Sequence, residues 1–483
     1  TTIMKNILLI TADQLRFDAL GYQGVFPVET PNLDRLAREG TRFENAYCSN
    51  PLCVPSRASI MNGLLPAGHG IYYNGSGWDT ALPTIPKELG ENGYYTVAVG
   101  KMHFFPKRRY HGFHKRIAEV YEHNTWLAEQ GLTVPKGPKG DGTPHHTESI
   151  LHEYNKPAWP HDPETYLTNW ITNRGLKELD DIAGTRDLDP YANEPFFMWL
   201  SYLKPHTPCD PPEPYYSMVD PDSVPDPLPP TENVPEQLKG FRKNWDCLSE
   251  GEVRRLRARY LGNIALLDEQ IGRVIDRLKE MGVYENTLII FSSDHGDYLG
   301  DFGIQQKSFM HDISAKVPLI VRGPGVEAGQ VINEAVSQVD LLPTLMDYCQ
   351  LSYPDTRDDA GERIHLDCYT DFGDGCSLVP AFQGNDISPE RVVVSESAVY
   401  GQHIMLKRGS EKYVYYAHAD GSYELEFFDA KADPQEQNNH LGEVSLEDLP
   451  DDFRSTLEDT LSRSRQHYGK SYAFGGNLHR VFT

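Results

Sequence analysis

The feature that most constrains this chain's fold is a series of short, near-continuous apolar runs that stop abruptly in polar residues. Lys5 to Thr11 ends in Ala12-Asp13-Gln14, and Tyr94 to Val99 ends in Gly100-Lys101-Met102-His103. Pro195 to Leu203 leads into Lys204-Pro205-His206, Thr287 to Phe291 into Ser292-Ser293-Asp294-His295-Gly296-Asp297, and Val317 to Val321 is a further run. Runs of this length without alternation read as strands buried on both faces, as in parallel sheets covered by helices. Open sheets of that kind put their sites at the carboxyl ends of the strands, so the polar tails are where chemistry is expected.

The intervening segments fit the same plan. Thr30 as N-cap, Pro31 at the first position and Gly40 as stop mark one helix. Glu252 to Met281 is the longest helical pattern, its stripe running through Val253, Leu256, Tyr260, Ile264, Leu267, Ile271 and Leu278 to a terminator at Gly282. Residues from about 105 to 190, rich in Pro, Gly, His and Tyr, read as insertions covering the site. The Pro-dense run from Pro208 to Pro235 reads as an ordered surface excursion or lid. From Arg391 the pattern changes to alternating strands, Arg391 to Ser395, His403 to Lys407 and Lys412 to Tyr416, with Pro450 to His467 as a helix against them. The expected fold is α/β, a large mostly parallel sheet flanked by helices, with a smaller C-terminal antiparallel sheet plus helix. A catalytic domain is expected over 1–385 and an α+β subdomain over 386–483.

The stretch Asn50 to Gly70 holds the most specific signal. Pro51 and Pro55 bracket Cys53 in a turn, and Ala58 to Met61 can open a helix behind it, with N-terminal amides facing an anion. A lone cysteine in such a turn reads first as a buried small hydrophobe. The order Cys53-x-Pro55-x-Arg57, followed by Ala58-Ser59 and Gly63, resembles the signature of type I sulfatases. That resemblance implies oxidation of the cysteine to formylglycine, whose hydrated diol supplies the nucleophilic oxygen. A serine attacking a sulfate ester would be left as a stable sulfoserine, whereas a sulfated diol can lose the proton of its second hydroxyl and expel sulfate.

The similarity to the alkaline-phosphatase-like superfamily runs from Asn6 to about Leu441 and implies further roles. Asp13, Gln14, Asp294 and His295, with the modified Cys53, would bind one divalent cation. Many members carry a second Asp at the position of Gln14 and an Asn at that of His295. The Gln and His variant resembles choline sulfatases and phosphonate monoester hydrolases. A mostly oxygen shell favours Ca²⁺ or Mg²⁺, with Ca²⁺ first, and the imidazole adds Mn²⁺. By the same resemblance Lys101 and Lys307 contact the sulfate and Arg57 holds the modified side chain. His103 takes the second hydroxyl's proton, and His206 donates toward the leaving oxygen, alone or with Lys307. Met102 stands where the family's Gly-Lys-Trp-His element has Trp.

Composition narrows the partners. A net charge of -25 argues against nucleic acid, because no basic stripe is present to neutralise phosphates. Seven cysteines without a CxxC pair fit reduced thiols, and no apolar stretch reaches the length of a membrane helix. No signal-peptide pattern opens the chain, Met4 reads as a natural start, and a cytoplasmic location is expected. The expected partners are a sulfate ester of a small molecule or oligosaccharide and a formylglycine-generating or anaerobic maturase enzyme; self-association stays open. Three functions remain: a sulfatase, a phosphonate monoester or phosphodiester hydrolase, and a binding protein whose Cys53 stays a thiol. The Lys101 and His103 pair favours sulfate, since the phosphonate hydrolases this chain resembles lack that element. The substrate's alcohol is expected to be a carbohydrate, with choline as an alternative; Trp126, Trp159 and Trp170 suit stacking on a sugar as well as ordinary packing.

Overall fold

The computed structural model describes residues 5–78, 82–134, 156–188, 194–242, 249–351, 373–385, 387 and 391–471. The strands are β1 (Asn6–Asp13), β2 (Thr41–Tyr47), β3 (Tyr95–Gly100), β4 (Lys115–Ile117), β5 (Phe196–Pro205), β6 (Thr287–Ser293), β7 (Lys316–Arg322) and β8 (Gln330–Ser337), then β9 (Val393–Ser397), β10 (His403–Arg408), β11 (Glu411–Ala417) and β12 (Tyr423–Asp429). The first eight form one sheet in the order β4-β3-β5-β1-β6-β7-β2-β8, and the last four form a second in the order β12-β11-β10-β9. In the large sheet β7 alone runs against its neighbours β6 and β2, so the sheet is mostly parallel, as expected. The second sheet is antiparallel throughout.

β1 sits between β5 and β6 with every residue buried, which accounts for its unbroken apolar run. Helices cover both faces. The helix Pro31–Glu39 (α1) and the long helix Glu250–Glu280, opened by a Ser249–Glu252 capping box, lie on the face whose core includes Leu8, Ile10, Leu33, Ile264 and Ile271. Cys53–Asn62 (α2) lies in the core of the opposite face, all ten of its residues buried. The helix Asp451–Ser471 packs Phe453 and Leu457 against Ile404, Leu406, Tyr413 and Leu425 of the small sheet.

Two expectations need correction. The segment 105–190 is not mainly a cover for the site. Leu167–Leu188 is a helix of 22 residues whose Trp170, Ile171 and Leu179 are buried in the same core as β3 and β5. Gly175 lets it approach closely, since a Cβ there would lie 3.3 Å from Leu200 Cδ1. Residues 135–155 of that segment lie outside the described residues. The helix behind Cys53 does not begin at Ala58 but at Cys53 itself. Pro55 is no obstacle, because first-turn residues have no intrahelical acceptor for their N–H groups. The Pro208 to Pro235 run is an ordered excursion, tied down where Phe302 N donates to Leu228 O and Leu228 N donates to Asp301 Oδ1, at 2.8 and 2.7 Å. No described helix is long and apolar enough to cross a membrane.

Candidate active site

Four parallel neighbours deliver their carboxyl ends to one place. β1 ends at Asp13 with Gln14 following, β6 is followed by Asp294 and His295, β3 by Lys101 and His103, and β5 by His206. The register makes this tight: Lys101 N donates to Ser201 O at 2.8 Å, and His206 N donates to Asp13 O at 3.1 Å. Gly100 has no room for a side chain, since a Cβ there would sit 2.1 Å from Ser201 O. Against these ends the N-terminus of α2 presents Cys53, the first residue of the helix. Val54 N is capped by Asn74 Oδ1 at 3.1 Å.

Ligand atoms of Asp13, Cys53, Asp294 and His295 lie within 4.8 Å of one another, and all four residues are buried. Cys53 Sγ is 3.3 Å from His295 Nε2 and 3.9 Å from both Asp13 Oδ1 and Lys101 Nζ. Burial pushes the His103 pKa down against the opposing pull of Cys53, and its Nδ1 is buried without a protein partner among the described residues. Lys101 Nζ also donates to Asp13 Oδ2 at 2.5 Å. Arg57 is buried among these groups. Its Nε donates to Asp294 Oδ2 at 3.0 Å, Nη2 to Asp13 Oδ2 at 3.1 Å, and Nη1 to Lys101 O and Ser201 Oγ at 2.6 and 2.8 Å. It bridges the two carboxylates and the β3 and β5 ends.

The electrostatics are those of a cation and anion site. Burial pushes the Cys53 thiol up, as does Asp13, but Lys101, Lys307 and His295 together hold it well below the usual thiol range. Burial raises the other described cysteines, Cys209 to about 12, Cys349 and Cys376 to about 11, and Cys48 further still. None of the described cysteines is in a disulfide; Cys247 and Cys368 lie outside the described residues. Burial raises Asp13, but Lys101, His206, Arg57 and His295 outweigh it and keep the carboxylate ionised, whereas burial and the neighbouring Asp13 lift Asp294 to about 6. Two buried carboxylates, an imidazole and the Cys53 side chain bring their ligand atoms within 4.8 Å, and the burial and neighbouring Asp13 charge that raise Asp294 are what a bound divalent cation would offset. The donor set therefore fits a cation.

On the far side of Asp13, Lys307 Nζ donates to Gln14 Oε1 at 2.5 Å, and Gln14 Nε2 donates to Asp297 Oδ2 at 2.5 Å. His206 Nδ1 pairs with Thr207 O at 2.8 Å; burial and the Lys307 charge push its pKa down to about 3, so the free site holds it neutral. Backbone strain concentrates here: Gln14, His103, Gln306 and Ser308, none of them glycine, have φ of 64, 58, 69 and 99°. Every expected site residue is thus brought to one end of the sheet. Sequence reasoning missed Ser201, Asn74 and Asp297; only Asp297 carried a signal, as the last acid of the Asp294-His295-Gly296-Asp297 strand tail. Trp126 and Trp170 line a separate cavity of about 900 Å³ beside β4, with Arg116, Glu119 and Arg174. Trp159 packs on Tyr166 at 5.6 Å between ring centroids, and Trp126 on Trp170 at 5.8 Å, so all three tryptophans make ordinary packing contacts.

Comparison with known proteins agrees with this arrangement. The family model described as Sulfatase matches residues 5–351. An arylsulfatase of Clostridium perfringens (strain 13 / Type A) is 30% identical over 96% of this chain and 95% of its own length. A choline-sulfatase of Rhizobium meliloti (strain 1021) is 32% identical over 91% of this chain and 83% of its own. Among solved structures, the phosphonate monoester hydrolase of Agrobacterium radiobacter superposes with a TM-score of 0.74 at 24% identity, covering 96% of each chain, a likeness of fold. With strand ends, buried acids and a low thiol at one helix terminus, and a family match across most of its length, the chain belongs to the sulfatase family and is a sulfuric ester hydrolase.

Proposed function

We propose that the chain hydrolyses a sulfate monoester with Cys53 carried as formylglycine, on one divalent cation held by Asp13, Gln14, Asp294, His295 and the modified Cys53. The observation that carries this reading is the meeting of four buried ligand atoms within 4.8 Å, one of them the sulfur at the N-terminus of α2. When bound, the cation polarises a sulfate oxygen and favours the ionised form of the attacking hydroxyl. Ca²⁺ is the first candidate, ahead of Mg²⁺ and Mn²⁺, because every ligand but His295 would offer oxygen, the modified Cys53 included.

The protein groups divide the remaining work. Lys101, whose Nζ lies 3.9 Å from Cys53 Sγ, supplies positive charge to sulfate oxygens, as does the α2 terminus. Arg57 keeps the two acids and the β3 and β5 ends in register. His103, buried beside Lys101 and held toward the neutral form by that burial, takes the proton of the second hydroxyl when sulfate is released. The leaving oxygen is served by His206, alone or with Lys307; His206 is held neutral in the free site, so Lys307 is the partner placed to assist it.

An assisted departure matters for an alkyl alcohol and little for a phenol, so these two groups support an alkyl sulfate, with a sulfated carbohydrate as the substrate class. Residues 1–385 act as the catalytic unit and 386–483 as a subdomain bracing it. A sulfate-release screen over sulfated sugars, choline sulfate, an aryl sulfate and a phosphonate monoester tests the assignment. Highest kcat/KM on a sulfated sugar is expected; a preference for the phosphonate would replace the reaction class, and a preference for choline sulfate the substrate.

A further inference from the structure

A carboxamide is the one metal-ligand side chain whose two ends have the same shape and opposite chemistry, since its oxygen can face a cation and its NH₂ cannot. At Gln14 the structure assigns that choice to Asp297: we propose that Asp297 is a positioning residue that turns the Gln14 oxygen toward the cation. The inference rests on the cation reading above. Gln14 Nε2 donates to Asp297 Oδ2 at 2.5 Å, while Gln14 Oε1 accepts from Lys307 Nζ at 2.5 Å. A carboxylate only accepts, so it takes the nitrogen end and leaves the oxygen end for Lys307, whose charge acts on Cys53, His206 and His295. Gln14 is 0% exposed and Asp297 1% exposed, so water does not compete for either end.

The two oxygens of Asp297 have separate duties. Oδ1 accepts from Leu299 N at 2.9 Å and from Gln306 N at 3.0 Å, which fixes the chain immediately before Lys307. Oδ2 faces Gln14. The Gln14 backbone is held independently, with φ of 64° and its N–H donating to Asp294 Oδ1 at 3.0 Å, so the direction of the side-chain amide is what remains for Asp297 to decide at the nitrogen end, with Lys307 at the oxygen end. Partners of this kind behind a metal ligand are typically worth about 10–100-fold in metal affinity.

The division suggests a clean substitution. Asp297→Asn keeps an Oδ1 acceptor for Leu299 and Gln306 but sets NH₂ against NH₂ at Gln14, so the amide either stays with donor facing donor at residue 297 or turns its nitrogen toward Lys307, and in both cases its oxygen is no longer held firmly in place. Adding Gln14→Glu restores a donor facing an acceptor with the polarity reversed and the total charge of the pair unchanged. The test is calorimetric titration of metal-stripped full-length chain with Ca²⁺ and with Mn²⁺, alongside the melting temperature of each cation-free variant. Asp297→Asn is expected to bind about 10–100-fold more weakly than wild type, and the double variant to return to within a few-fold of wild type or better. Unchanged affinity in Asp297→Asn, or a double variant no better than Asp297→Asn, overturns the inference. If Asp297→Asn alone does not fold, recovery of a folded, cation-binding chain on adding Gln14→Glu supports the pairing and no recovery overturns it. A wild-type chain that binds neither ion sinks the cation reading itself, and this inference with it.

Discussion

Of the described cysteines only Cys53 has its thiol held low, and it is also the one at a helix N-terminus against two acids, a histidine and two lysines. On the proposed mechanism Cys53→Ala folds and melts close to wild type but shows no turnover. Peptide mass measurement on active protein then finds the aldehyde at residue 53; full activity from an unmodified thiol would end the proposal. The leaving-group assignment has its own signature. Lys307→Ala is expected to cost alkyl sulfates at least about 100-fold in kcat and an activated aryl sulfate much less, whereas equal losses on both would leave Lys307 only a binding role. Asp13, Lys101, His206, Asp294 and His295 were legible because a buried strand that stops in polar residues announces a site. The partners of Arg57 were not, since they stand 44, 144 and 237 residues away and meet it only through sheet order.

At the level of elements, α2 shows how local chemistry and tertiary placement divide the task. Its first turn lacks a side-chain N-cap of its own, and Asn74, from the following segment, caps Val54 N instead. Asn74→Ala should lower stability by about 1 kcal/mol and, on the proposed mechanism, raise KM for an anionic substrate, because an uncapped first turn would fray where that proposal seats the sulfate. Loss of stability with KM unchanged would show that Asn74 does not shape the site. The central strands β1, β3, β5 and β6 were readable as apolar runs. β2 was hidden because Arg42, Glu44 and Asn45 are only partly buried near the sheet's end, and β8 for the same reason at its edge, where Gln330, Val331 and Glu334 meet solvent. The helix Leu167–Leu188 had its signal in the spacing of Leu167, Trp170, Ile171, Gly175 and Leu179, diluted by the surrounding Pro- and His-rich sequence.

In the whole molecule the small C-terminal sheet is joined to the catalytic end by buried polar links. His403 of β10 pairs with Ser308 O at 2.7 Å and stacks on Phe309, ring centroids 5.1 Å apart, directly after Lys307. Lys412 of β11 pairs with Asp312 and Glu436, at 2.9 and 2.5 Å. Glu396 of β9 accepts from Ala67 N at 2.5 Å, Tyr72 Oη at 3.2 Å and Ser464 Oγ at 3.2 Å, and burial lifts its carboxyl from 4.5 to about 7. A raised folded-state value means that its contribution is present in full below about 4.5 and is lost as pH rises through about 7. Glu396→Gln should therefore melt higher than wild type at pH 8, by up to about 3 kcal/mol in stability, with no such gain at pH 4.5; equal effects at both pH values would refute a buried charge there. The burial of α2 has a further consequence, in time. Cys53 is 2% exposed, and the strands that enclose its end of the sheet, β5 and β6, lie 143 residues or more later in the chain. At about 5–20 residues per second, synthesis leaves that cysteine open to an enzyme for roughly tens of seconds before the sheet can close over it. If Cys53 is modified as proposed, its maturase is expected to work on the growing or unfolded chain: a peptide spanning residues 50–70 should be converted readily, and folded protein that still carries the thiol should resist conversion until it is unfolded.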